Sequence, residues 1–196
     1  QIRFGEDLMS RVSYVMMHPD GDAEMTKVIR ETINELAENV ATKANRQLDE
    51  IVEVTFVGNP IMHHLLLGIS PLELGGAPFA LATDESVRIR ARDLKLTLHT
   101  NTRCYVLPCI AGHVGADTAG MILSEAPHKR EAITLLVDIG TNAEIVLGNK
   151  ERLLAASSPT GPAFEGAQIT CGQRAAPGTI ERVRIDRKTL EPKFKI

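Results

Sequence analysis

The chain has 196 residues, 43% of them hydrophobic and 24% charged, enough to bury a core in one or two globular units and too apolar for a disordered or fibrous polymer. A net charge of −3 gives no electrostatic footprint for nucleic acid, and no apolar run is long enough to cross a bilayer, so a soluble, cytoplasmic protein is expected. Gln1 begins the chain without an initiator Met or a signal segment, and Lys193-Phe-Lys-Ile196 ends it without closure, so it reads as an internal piece of a longer protein.

In chain order, Leu8, Val12, Val15 and Met16 keep the spacing of one helical face. His18-Pro-Asp20-Gly21-Asp22 breaks that helix, and Asp22 is placed to cap a second one, whose apolar positions Met25, Ile29, Ile33, Leu36 and Val40 carry it to about residue 47. Ile51–Val57 reads as a strand, Gly58-Asn59-Pro60 as a turn, and Pro60 as the first residue of a helix through Leu67. Asn59 therefore stands at a strand's C-terminal end, the side where open α/β sheets place ligands, although supporting the turn is an equally simple role. His63 and His64 are adjacent and would project about 100° apart on a helix, whereas a helical chelate wants i and i+4.

Residues 68–82 are punctuated by Gly and Pro and read as a loop with one helical turn. Ser86-Val-Arg88-Ile-Arg90-Ala-Arg92 alternates strictly, placing three arginines on one face of a strand. They suit a phosphate or an acidic protein, or simply an edge strand protected by charge. Arg103–Pro108 is another short strand, followed by a helix over Ala116–Leu123 with Asp117 in its first turn. There a carboxylate complements the helix dipole, and at a strand–helix junction it can also orient water on a phosphate. Cys104, Cys109 and Cys171 cannot all pair; Cys104 and Cys109 have the C-x₄-C opening of a plant-type iron–sulfur set without its continuation, so buried thiols are expected.

After a polar linker, Ile133-Thr-Leu-Leu-Val-Asp138-Ile-Gly140-Thr141-Asn142-Ala-Glu144-Ile-Val-Leu147 is an apolar run, a polar turn and a second apolar segment. It reads as a β-hairpin suited to an anion. Gly140 can take backbone angles closed to other residues and admits main-chain N–H groups to a ligand, Thr141 and Asn142 add short donors, and Asp138 is placed to hold Mg²⁺ through water. The same residues also suit an ordinary tight turn. Glu151–Ser157 supplies a third strand. Thr160 or Gly161 then caps a short helix starting at Pro162, and Thr179–Ile185 is a further strand.

Strand-helix-strand-helix followed by three antiparallel strands and a helix resembles parts of two β-β-β-α-β-α-β-α units. That is the pattern of the acetate and sugar kinase, heat-shock protein 70 and actin superfamily, with Asp138–Asn142 as its second phosphate hairpin. The resemblance implies an incomplete α/β, actin-like or ribonuclease H-like ATPase fold. Residues 1–130 would be the later part of the first lobe and residues 131–196 the opening of the second, with the first hairpin upstream and the adenosine segment downstream.

Five blocks in matching order narrow the likeness: Arg3–Arg11, Val57–His64, Pro108–Asp117, Leu136–Leu147 and Gly161–Ala167. Together they resemble the ATPase region of the reductive activators of corrinoid proteins, which are iron–sulfur proteins that return Co(II) corrinoid to Co(I) with ATP. The resemblance implies that Asp138, Gly140, Thr141 and Asn142 grip ATP phosphates and Mg²⁺, that Asp117 positions water, and that Gly161, Glu165 and Gly166 line the cleft or serve helix packing. It also implies an iron–sulfur cluster outside these residues, a corrinoid protein of a methyltransferase system and an electron donor as partners, with neither nucleic acid nor membrane, and an exposed sheet edge suited to homo-oligomers. The piece alone is expected to be inactive. A small-molecule kinase with Asp117 as base, or a nucleotide-gated chaperone-like module, would use the same fold; neither a Walker A pattern nor G-x-G-x-x-G occurs.

Overall fold

Asp7 starts the first helix, α1 (Leu8–Met17), because its carboxylate accepts the Ser10 N–H at 2.7 Å while Ser10 Oγ accepts the Asp7 N–H at 3.1 Å, a reciprocal capping box. The computed structural model describes residues 4–5, 7–161, 177–180 and 182–196. Helix α2 (Gly21–Lys43) follows, and here the structure corrects two expectations. Asp20 rather than Asp22 holds the N-cap position, with Asp22 inside the first turn, where its charge favours the helix dipole; the helix also ends at Lys43, before 47. Met25 and Ile29 are buried on its inner face, whereas Leu36 and Val40 are exposed.

Strand β1 (Glu53–Phe56) leads through Gly58-Asn59 into α3 (Pro60–Leu67). Asn59 accepts the Met62 N–H at 2.9 Å, so it is the N-cap, and Pro60 opens the helix where no N–H is needed. The far end of α3 is satisfied by α2: Thr26 Oγ1 donates to the Leu65 carbonyl at 2.8 Å, and the Arg30 guanidinium donates to the Leu66 carbonyl at 2.8 and 3.1 Å. Ile61 and Leu65 are wholly buried between them. His64 is locked as a neutral ring, with Nδ1 against the Pro60 carbonyl at 2.8 Å and Nε2 accepting the Ala82 N–H at 3.0 Å.

Strands β2 (Val87–Arg90) and β3 (Arg103–Val106) complete a sheet in the order β1–β3–β2, with β1 parallel and β2 antiparallel to β3. Its inner face supplies Val54, Phe56, Val87, Ile89, Cys104 and Val106 to a core shared with α1, α2 and α3. The strand carrying the arginines stops at Arg90, so Arg92 does not share its face; it lies in a turn and pairs with Asp93 at 3.7 Å. Helix α4 (Ala116–Glu125) follows β3. Strands β4 (Thr134–Ile139), β5 (Asn142–Gly148) and β6 (Leu153–Pro159) form a second sheet in that order, and β7 (Arg182–Ile185) pairs with β8 (Pro192–Lys195) as a hairpin. The chain divides into two compact units, Gln1–Asp138 with Glu144–Ser157, and Ile139–Ala143 with Ser158–Ile196. Among the described residues no helix is long and apolar enough to cross a membrane.

One close approach joins the ends of the parallel strands. The Gly58 carbonyl after β1 accepts the Ala116 N–H at 3.0 Å and the Asp117 N–H at 3.3 Å, so the first turn of α4 is anchored on the other strand–helix junction. Gly115 makes this possible. A Cβ there would stand 2.8 Å from the Gly58 oxygen, 2.8 Å from the Asn59 Cα and 2.6 Å from an Asp117 carboxylate oxygen. Gly115→Ala is expected to lower stability by about 2 kcal/mol, read in a denaturant titration as a shifted midpoint with an unchanged slope. A midpoint equal to wild type would show that the two junctions can part without cost.

Candidate functional site

Asp117 sits half-buried in the first turn of α4, whose anchor on the Gly58 carbonyl fixes its backbone. Its Oδ1 accepts the Thr118 N–H at 2.8 Å. Burial pushes its carboxyl above the usual carboxylate range; hydrogen bonds from the Thr118 and Asp117 N–H groups oppose the shift, and the negative charge of Asp138 adds to it. Asn59, in the turn after β1, spends its side chain on the α3 cap.

Asp138 is exposed near the end of β4. A third carboxylate, Glu144 on β5, was not singled out by the sequence, although a Glu within an otherwise apolar Ala-Glu-Ile-Val-Leu strand is a signal that could have found it. Glu144 is half-buried, and Ser157 Oγ on β6 donates to its Oε1 at 3.0 Å. Burial raises its pKa first, Ser157 opposes, and Asp117 and Asp138 each push it further up. Asp117 and Glu144 therefore both feel the charge of Asp138, and Glu144 that of Asp117 as well. Among the described residues no three His, Cys, Asp or Glu side chains converge to ligate one ion directly. An all-oxygen set of this kind fits Mg²⁺ held largely through its own water, with few protein ligands.

The hairpin tip belongs to the second unit and is built from Gly140, Thr141, Asn142 and Thr160. Thr160 Oγ1 donates to the Gly140 carbonyl at 2.5 Å and reaches the Thr141 carbonyl at 3.0 Å; the N–H groups of Thr160 and Gly161 also donate to the Thr141 carbonyl, at 3.1 and 3.0 Å. Both peptide planes are thereby fixed. Because a trans peptide sets its N–H opposite its C=O, the Thr141 and Asn142 N–H groups face away from Thr160. Gly140 does not use the left-handed region, contrary to the sequence expectation; its N–H donates to the Asn142 carbonyl at 2.8 Å, and what its lack of a side chain provides is access. Gly161 does need its glycine, with φ of +83°. Thr160 emerges here as a tether of the turn, while the helix it was expected to cap, with Glu165, Gly166 and Cys171, lies outside the described residues.

The thiols stay apart from this chemistry. Cys104 and Cys109 are free and buried. Burial and the neighbouring Asp117 push the Cys109 thiol up to about 11 against an opposing hydrogen bond from Ala116, which leaves it protonated at neutral pH and unsuited as a cluster ligand.

A parallel strand pair with ligand-side helix starts, followed by a three-stranded meander with Asp-Ile-Gly-Thr-Asn at its first turn, defines the class as an actin-like α/β nucleotide-binding fold. The chain belongs to the RACo family: residues 1–130 match the RACo middle region, and residues 132–196 match the C-terminal domain of RACo, the ASKHA domain. It is 35% identical over 93% of its length to the corrinoid activation enzyme RamQ of Eubacterium limosum, and 29% identical over 78% to the [Co(II) methylated amine-specific corrinoid protein] reductase of Methanosarcina barkeri. It superposes along its whole length on the solved structure of a reductive activator for corrinoid,iron-sulfur protein, with a TM-score of 0.87 and 36% identity. The chain spans 30% of the length of each of these two sequence relatives and 31% of that structure.

Asp117 holds its charge at a cost to the fold. Since its folded pKa is raised, the folded state keeps the proton longer than the unfolded chain, and stability falls as pH rises from the ordinary Asp value through the folded one. Asp117→Asn should therefore raise Tm at pH 7 by about 2 °C, a gain kept small by solvent screening. The gain should vanish on acidification to about pH 3, below both pKa values. A pH-independent difference in Tm between the two proteins would mean the carboxyl is not strained by charge.

Proposed function

We propose that this chain is the ATP-binding region of a reductive activator that brings a Co(II) corrinoid protein to Co(I). The observation that carries the reading is the tethered hairpin tip: Thr160 and Gly161 hold the Gly140 and Thr141 carbonyls, and a turn with its peptides fixed in this way supports a role in holding an anion. The names of the relatives supply the substrate class, a corrinoid protein.

In this reading the backbone N–H groups of Thr141 and Asn142 receive phosphate oxygens, and Gly140 and Gly161 keep side chains out of the way. Asp138 holds Mg²⁺ through water, and that ion, when bound, neutralises phosphate charge and draws electron density from the bond to be broken. Asp117 orients the attacking water; its raised pKa brings it nearer to the basicity that accepting a proton requires. The first lobe ends at residue 130 and the second opens at 131, and closure of the lobes on nucleotide biases the complex towards electron transfer to cobalt. The electron comes from a low-potential donor. The described cysteines do not fit an iron–sulfur cluster, so its ligands belong to other parts of a longer polypeptide. A cytoplasmic location and a corrinoid partner from a methyltransferase system belong to the same reading, and the free thiols of Cys104 and Cys109 suit a reducing compartment.

The test uses the full-length protein with a Co(II) corrinoid protein, a low-potential reductant and Mg-ATP, following the cobalt absorbance. Co(I) should appear only with ATP. Asp138→Ala should lower the rate at least ~100-fold, and Thr160→Val should raise the KM for ATP about tenfold with a smaller change in kcat. Reduction that ignores ATP, or ATP turnover that yields a phosphorylated small molecule and no Co(I), would replace this reading with a different one.

A further inference from the structure

Strand alternation gives the β1–β3–β2 sheet a second face, opposite the core. On it stand Glu53, Arg88, Arg90, Arg103 and Tyr105. The register sets Arg90 directly opposite Arg103 and Arg88 directly opposite Tyr105. Like charges facing each other across a strand pair destabilise it, and here one carboxylate, Glu53, opposite Arg103 on β1, stands beside three guanidiniums. None of the ion pairs among the described residues takes up Arg88, Arg90 or Arg103. The guanidinium of Arg88 lies 5.5 Å from the centre of the Tyr105 ring, and Arg90 Nη1 donates to the Asn101 carbonyl at 2.8 Å. Above them is an open hollow of about 710 Å³ with Glu53 and Asp93 at its margin.

We propose that this arginine face is the docking surface for a carboxylate-bearing patch on the corrinoid protein. The proposal rests on the function proposed above for the identity of the partner, and on the charge pattern for the chemistry. Guanidinium groups present a planar fork that matches a carboxylate, and Arg and Tyr are the residues enriched where protein partners bury surface. Arg88 and Arg90 are braced by different neighbours, Tyr105 and Asn101, an arrangement that suits several carboxylates spread over a surface better than one phosphate. Nucleic acid is disfavoured by Glu53 and Asp93 beside the guanidiniums and by the net charge of −3.

The experiment uses full-length protein and the corrinoid protein that the activation assay reduces, titrated at about 50 mM and about 300 mM salt to vary screening. Wild type should bind more weakly at the higher salt. The triple variant Arg88→Glu, Arg90→Glu, Arg103→Glu should raise Kd at least ~tenfold and lose that salt dependence, with the milder triple change to Gln falling between. Basal ATP turnover and Tm should match wild type. Unchanged affinity in both triple variants overturns the proposal. So does a loss of Tm in both, which would mean that the rest of the polypeptide covers this face, or a change confined to self-association, which would assign it to a second copy of the chain. A wild-type protein that neither binds nor reduces any corrinoid protein overturns the functional reading itself, an outcome distinct from a wild type that is active and variants that bind equally well.

Discussion

The Gly58 carbonyl, accepting two N–H groups from the first turn of α4, is the contact that fixes where Asp117 stands in the first unit. It joins the helix start after β3 to the turn after β1, and so converts two separate strand ends into one ledge. The ledge exists because Gly115 has no side chain; any Cβ would collide with backbone. Asp117 is consequently placed by main-chain geometry rather than by a web of side chains. That arrangement leaves its carboxylate half-exposed and able to work, while its position is as rigid as the strand pair beneath it.

Charge is treated differently in different parts of the molecule. At the ledge, burial and neighbouring negative charge raise the pKa of Asp117 and Glu144, with Ser157 and the α4 N–H groups offsetting part of the effect. On the outer sheet face, two arginines are held opposite each other. Both arrangements cost stability and neither is needed to fold a sheet. Elsewhere the chain is economical: α3 is closed by Thr26 and Arg30, α1 by its capping box, and His64 by two backbone partners. Like-charge cost on two surfaces, against the hydrogen-bonded ends of α1 and α3, is what surfaces shaped for a ligand or partner look like.

Helical periodicity made α1, α2, α3 and α4 legible, and the Asn59-Pro60 pair marked the start of α3 to the residue. Alternation and turn residues marked the strands, with the ends of β1, β2 and β3 displaced by at most two residues because fraying and capping are decided by neighbours. Arg92 shows the limit: the alternation extends through it, but the strand ends at Arg90, and the third arginine of the face comes from β3 instead. Glu144 shows another. Its nearness to Asp117 links residues far apart in the chain, which no local pattern records.

The sequence by itself determined the order of elements and the family, because local propensity, turn chemistry and five blocks in matching order are all properties of short stretches. Tertiary structure alone decided that Thr160 rather than glycine flexibility shapes the Gly140 turn, and that β1 and β3 lie side by side so that Gly58 can hold α4. The physical reason is the same in each case. A hydrogen bond between residues distant in sequence depends on where the backbone has been carried by everything in between.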